Sequence, residues 1–275
     1  MSSKELNLAS PEIMRQNVMK DEFGWEIPIE SIPLPTKGLI YDPDSTLFNR
    51  EVLQIKSMTA REEDILASPA FHKEGTSLTH LIQSCLIDKS INSEEMITGD
   101  RMALMVGIRV TGYGPEYNAS ASCQSCGHKN DFIVDLSRLG IKRLKINPLK
   151  PGENKFEFVL PVTKKKIIFK YSTERDNRER NIVLKNMQKA LGNSISNNIT
   201  SFLENSIVAI DGITDRSKIK HFVLNMPAFD SKSLRSFIID NEPGMDMNCS
   251  FDCVNCSHRN ESILPMTTEF FWPSK

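Results

Sequence analysis

The stretches CQSCGHKND (123–131) and CVNCSHRNE (253–261) decide how this chain is read. Each spells C-x-x-C, a small residue, His, a base, Asn and an acid. Together they supply four thiols, Cys123, Cys126, Cys253 and Cys256, and a closed structural zinc site takes four thiolates in a tetrahedron. The gap between the pairs is far longer than in an ordinary zinc ribbon. It is accounted for if two copies of one unit face each other across a pseudo-twofold axis and share one structural zinc. A competing arrangement groups Cys123, Cys126 and His128 in one site and Cys249, Cys253, Cys256 and His258 in another. The first of these lacks a fourth local ligand, so the shared site is preferred. His128 and His258 then support the ligands, with direct ligation as their alternative role. A thioredoxin-like thiol pair would open a helix after a strand, whereas each motif here lies between two expected strands. Cys85 falls on the apolar face of an expected helix and reads as a core residue.

The repetition extends beyond the cysteines. Without gaps, at an offset of 130, Asp100 pairs with Asp230, Leu104 with Leu234, Ile108 with Ile238, Gly114 with Gly244 and Asn118 with Asn248. With gaps, IKSMTARE (55–62) resembles FKYSTERD (169–176), and LTHLIQSCLI (78–87) resembles ITSFLENSIV (199–208). One order of elements kept twice predicts an α+β fold of two tandem related units. Each is a short strand or hairpin followed by helices and a C-x-x-C zinc-knuckle hairpin. The expected division is an amino-terminal arm over 1–32, a first unit over 33–145 and a second over 150–275.

Local patterns fill in the units. Val52, Leu53 and Ile55 predict a strand over 51–56, and Thr59-Ala-Arg-Glu62 is a capping-box signature that opens a helix. Leu78, Leu81, Ile82, Cys85 and Leu86 share one helical face, and a third helix fits 101–110. A strand over 117–122 leads into the first knuckle, and Phe132, Val134 and Leu136 alternate as its return. The second unit opens on a hairpin, KFEFVLPVTKKKIIFK (155–170), with Lys164, Lys165 and Lys166 at its tip. Helices are expected over 173–191, 199–209, 216–225 and 230–239.

Composition sets the class. A chain of 275 residues, 39% of them hydrophobic, can build a core without disulfides. A net charge of −1 gives no global attraction to nucleic acid or anionic membrane. The longest apolar run, 103–108, is too short to span a bilayer, and MSSKELNLAS (1–10) has no apolar signal core, so the expected compartment is the cytoplasm. No phosphate-binding glycine loop and no Ser, His and acid set in a recognisable context occurs, so neither an enzyme nor a small-molecule substrate is expected. A zinc-ribbon nucleic-acid binder is the alternative, with the lysine triplet, Lys129 and Arg259 on phosphates. Aromatics, at 7%, are not interleaved with these bases, which disfavours it. Near the carboxyl terminus, Phe270, Phe271 and Trp272 read either as anchors for a protein partner or as cover for the second unit.

Taken in order, PLPTKGLIY (33–41), SMTAREEDIL (57–66), LIQSCLID (81–88) and TGDRMALMVGIRVTGYGPEYNASASCQSCGH (98–128) resemble the T4-type bacteriophage baseplate protein family, whose members are baseplate hub assembly proteins or hub subunits. The likeness covers 33–136 and reaches the second half only through the repeat and the second knuckle. It implies a non-enzymatic tail-morphogenesis protein of a contractile-tailed phage, acting as an assembly factor or a structural subunit. Its partners would be other baseplate hub or tail proteins. Its location would be the cytoplasm of the infected bacterial host or the virion baseplate.

Overall fold

The computed structural model describes residues 18–20, 23–191, 198–266 and 268–272. Its first half runs through β1 (Val18–Lys20), β2 (Glu26–Pro33), β3 (Val52–Lys56), α1 (Ala60–Ala67), α2 (Pro69–Glu74), α3 (Ser77–Cys85) and α4 (Thr98–Tyr113). The hairpin of β4 (Glu116–Ser122) and β5 (Lys129–Asp135) and a short β6 (Ile141–Lys142) follow. The second half runs through β7 (Phe156–Val159), β8 (Lys166–Phe169), α5 (Glu174–Leu191), α6 (Asn198–Ser206), β9 (Ile207–Ile210), α7 (Arg216–Leu224) and α8 (Ala228–Asn241). It closes with β10 (Gly244–Met245) and the hairpin of β11 (Asn248–Asp252) and β12 (Arg259–Ile263). The fold is mixed α+β with small antiparallel sheets, ordered β1-β2-β3 and β7-β8-β9 beside three two-stranded pairs.

Three sequence expectations change. Glu26–Pro33, all but its last residue counted in the arm, forms β2 and pairs with β3 from Ile29↔Lys56 to Pro33↔Val52. Its alternation of Ile27 and Ile29 breaks at Ser31 and shifts to Ile32 on the other face, so the strand is recognisable only beside its partner, where Ile32 becomes buried. The helix expected over 199–209 stops at Ser206, because Ile207, Val208, Ala209 and Ile210 join β8 as a strand. β-branched side chains lose little on a pleated surface and are restricted in a helix, so the sheet wins there. Leu136 turns out of the return strand into a short 3-10 turn, where the Asp135 side chain accepts the Ser137 N–H at 3.0 Å.

The two halves repeat several local devices. At the start of α1 the Glu62 carboxylate accepts the Thr59 N–H at 2.9 Å and the Thr59 hydroxyl at 2.6 Å, and it meets Lys56 Nζ at 2.7 Å. At the start of α5 Asp176 accepts the Thr173 N–H at 3.1 Å and meets Lys170 Nζ at 2.7 Å. Asp100, in the first turn of α4, accepts the Thr36 N–H at 3.0 Å and the Thr36 hydroxyl at 2.6 Å. Asp230, in the first turn of α8, accepts the Val162 N–H at 2.7 Å, the Thr163 N–H at 3.0 Å and the Thr163 hydroxyl at 2.8 Å. In both halves a carboxylate at a positive helix end is satisfied by the turn of a preceding hairpin, fastening that hairpin to the helix.

Glu62 gives a pH prediction. Burial opposes its ionisation, but hydrogen bonds from Lys56, Ser84 and Thr59 outweigh it and hold the carboxyl at about 2, below its ordinary 4.5. A depressed folded value stabilises the fold above the ordinary value, and that stabilisation is lost as pH falls from 4.5 towards 2. Glu62→Gln should lower stability at neutral pH by about 2 kcal/mol and flatten the loss across that acid window. Denaturant titrations of both proteins from pH 7 to pH 2 measure it, and parallel curves would contradict it.

α4 is the axis of the molecule. Ala103, Leu104, Val106 and Ile108 are buried on it, and so are Arg101 and Arg109. Arg101 donates to the Ser93 carbonyl at 2.8 Å and lies 3.5 Å from the Glu174 carboxylate of the second half. Arg109 donates to the carbonyls of Gly114 and Glu116 and, at 3.1 Å, to that of Phe270. β6 pairs with β10, and the Asp246 N–H reaches the Gly140 carbonyl at 2.7 Å. The halves thus exchange ends, with the stretch after the first knuckle against the second half and the stretch after the second knuckle against α4.

Candidate metal centre

The two C-x-x-C turns are built alike. In each the first cysteine N–H donates to the carbonyl of the histidine, at 2.8 Å for Cys123 and His128 and 3.0 Å for Cys253 and His258. The residue after the second cysteine returns its N–H to the first cysteine carbonyl, at 2.9 Å for Gly127 and 2.8 Å for Ser257. That return requires a left-handed backbone, with φ of 73° at Gly127 and 57° at Ser257, which explains the small residue in the repeated motif. The turn points both sulfurs of a knuckle the same way.

The hairpins face each other, with the rings of Phe132 and Phe251 stacked at 4.5 Å. Across the interface Cys123 Sγ lies 3.7 Å from Cys256 Sγ, and Cys126 Sγ lies 3.6 Å from Cys253 Sγ. All four sulfurs lie within 4.8 Å of one another. A zinc–sulfur bond of about 2.3 Å places tetrahedral sulfurs about 3.8 Å apart, so the spacing fits a tetrathiolate ion. Cys123 and Cys253 are buried, while Cys126 and Cys256 face solvent.

The four thiols are held in unequal electrostatic environments. Burial opposes ionisation of Cys123, but hydrogen bonds from the backbone of Cys126 and Ser125 and from the Asn260 side chain outweigh it and draw the thiol down to about 6. Cys253 is lowered too, with burial outweighed by the backbone of Cys126's counterpart, Cys256, and of Asn255. Cys256 goes the other way: the His258 backbone favours its thiolate, but the sulfurs of Cys126, Cys123 and Cys253 and its burial together push it up to about 12. Four sulfurs this close cannot all ionise against one another without a positive charge among them. Soft thiolates in this geometry suit zinc, and an iron ion would find the same donors.

The other residues singled out from sequence fall into place around this cluster. The imidazoles of His128 and His258 are exposed, and the cluster of ligand atoms found among the described residues comprises the four cysteines. Cys249 stands apart, with its sulfur 3.5 Å from the Ser262 carbonyl, so the fold does not build the divided arrangement that would need it. Cys85 is fully buried, and burial pushes its thiol up to about 12, the behaviour of an inert core residue. Phe270 and Phe271 are both 0% exposed, which corrects their reading as partner anchors. Phe270 lies against Tyr117 at 5.1 Å and so covers the first half of the chain, with the Phe271 ring edge-on to it at 5.5 Å; Trp272 stays 39% exposed. The sequence reading overlooked Asn130 and Asn260, whose only signal was their place in the repeated motif.

Comparison with protein-family profiles matches residues 42–272 to the family described as T4 bacteriophage base plate protein. The chain belongs to that family. The match takes in both knuckles, α4 and the buried Phe270 and Phe271, so the relationship extends through the second half of the chain and is not confined to the first, while β2 and the 33–41 stretch lie before its start. Membership gives the chain a structural or assembly role in a phage baseplate. Comparison with the curated proteins gave no match, and comparison with the solved structures gave none. Among the described residues no helix is long and apolar enough to cross a membrane.

Proposed function

We propose that this base plate protein is a non-enzymatic scaffold of the baseplate hub, an assembly factor or structural subunit, in which two related units are clamped by one structural zinc. The observation that carries the reading is the meeting of sulfurs from two knuckles, 127 and 133 residues apart in the chain, in one cluster within 4.8 Å. The duplication is supported by the paired devices of the two halves: the Thr36–Asp100 and Thr163–Asp230 ties, the two lysine-braced helix starts and the two left-handed knuckle turns. The units are taken as 33–145 and 150–275, with β2 added to the first. Cys123, Cys126, Cys253 and Cys256 hold the metal; bound there, it supplies a positive charge and a fourfold crosslink, with no open position for a substrate. The partners are other proteins of the hub, recognised through the helical surfaces. Lys165 and Lys166 of the lysine triplet are paired with Asp211 and Glu157, so nothing singles out a phosphate-binding patch there.

The test is the metal content of protein purified without added metal, combined with thiol counting. About one zinc per chain is expected, with the four knuckle thiols protected until a chelator or denaturant is added. Chelation should lower the thermal midpoint and leave a folded chain, because the β6–β10 pair and the Arg109–Phe270 contact also join the halves. Two zincs per chain, or four freely reactive thiols, would overturn the shared site.

A further inference from the structure

Asn130 and Asn260 are each 2% exposed, on the return strands of the two knuckles. The Oδ1 of Asn260 accepts the N–H of Gln124, inside the other knuckle, at 2.9 Å. The Oδ1 of Asn130 accepts the N–H of Val254, again across the interface, at 2.9 Å. Each Nδ2 donates at 2.8 Å to the histidine carbonyl of its own knuckle, His128 for Asn130 and His258 for Asn260. One amide therefore reads both knuckles at once, with its donor at home and its acceptor abroad, and the pair does so reciprocally. Asn260 Nδ2 also lies 3.5 Å from Cys123 Sγ.

From this geometry we infer that Asn130 and Asn260 are the positioning residues of the centre, a crossed pair of amides that gathers the four sulfurs before a metal is bound. The inference rests on the reading of the four cysteines as one metal site. The two cross-interface bonds join a backbone N–H to a side-chain oxygen, and neither needs an ion. Docking gives the Gln124 and Val254 N–H groups a protein acceptor in place of water, so these two bonds favour the docked arrangement whether metal is present or not. Few side chains could substitute. Alanine offers neither donor nor acceptor. Aspartate keeps the acceptor, loses the donor and sets a negative charge beside thiolates. Metal then enters a site already shaped, unlike small zinc domains that are unfolded until they are loaded.

Two measurements on the full chain test this. The first is amide hydrogen exchange at Gln124 and Val254 in the metal-free protein. Both should be protected in the wild type; Asn260→Ala should release Gln124, and Asn130→Ala should release Val254, so each substitution is felt in the opposite knuckle. The second is titration with cobalt(II), whose thiolate charge-transfer and tetrahedral ligand-field bands report the sulfur set. Either alanine variant should keep the tetrathiolate bands and bind cobalt about 10–100-fold more weakly. Should an alanine variant fail to fold, Asn130→Asp, which retains the oxygen acceptor, should keep Val254 protected while still weakening cobalt binding. Free exchange of both amides in the metal-free wild type, or unchanged cobalt affinity in folded variants, would overturn the clamp. A wild type without charge-transfer bands would instead remove the metal site, and the exchange pattern would still decide the clamp.

Discussion

Replacing Asp100 by alanine is expected to destabilise the protein by about 3–5 kcal/mol, the combined cost of stranding several buried neutral donors. Its carboxylate is fully buried, and burial pushes its pKa up against the pull of its donors. It accepts the Thr36 N–H, the Thr36 hydroxyl and, at 2.7 Å, the Tyr41 hydroxyl, and Tyr41 in turn receives the Ile97 N–H at 3.1 Å. Alanine would leave the Thr36 and Tyr41 donors facing a void within the core, each at about 1–3 kcal/mol. Asp100→Asn keeps one acceptor oxygen and should fall between the two. Urea unfolding at neutral pH, read as a shift in midpoint at constant slope, measures the series. A loss under about 1 kcal/mol for alanine would mean that the turn of 34–38 is held to α4 by packing alone.

Gly99→Ala should have the second largest effect, a loss of about 3 kcal/mol or somewhat more. A Cβ at Gly99 would lie 1.8 Å from the Pro243 carbonyl oxygen and 2.7 Å from its carbon, and both are backbone atoms that cannot swing aside. α4 would have to withdraw from the segment leading into β10, loosening the β6–β10 pair that joins the halves. The control lies on the other side of the same contact. A Cβ at Gly244 would meet Gly99 Cα at 3.4 Å, an ordinary contact, so Gly244→Ala should cost about 1 kcal/mol or less. Thermal and urea unfolding of the two variants side by side tests the close approach, and equal losses would refute it.

These two sites show where sequence reading reached and where it stopped. Asp100 was visible as half of a repeated pair with Asp230, but its role depended on Thr36, 64 residues earlier. Gly99 carried no local signal at all: its backbone is helical, and the demand for glycine comes from Pro243 in the other half. Arg101 and Arg109 lie on a helix whose period marks the apolar face, yet both charges are buried there, met across the fold by the Glu174 carboxylate and the Phe270 carbonyl respectively. Phe270 and Phe271 looked the same in sequence whether they faced a partner or the chain itself.

The sequence by itself determined what short-range chemistry can determine: two C-x-x-C turns of one repeated pattern, a capping box at Thr59 and the apolar face of α3. Those features rest on residues a few positions apart, where spacing maps onto geometry. Only the tertiary structure decided that β2 leaves the arm to join β3, that 207–210 is a strand, that the halves exchange their ends around α4, and that Asn130 and Asn260 each bond to the opposite knuckle. Each of these is a hydrogen bond or contact between residues far apart in the chain. Whether a polar group or a β-branched run finds its partner depends on what the rest of the fold brings to it.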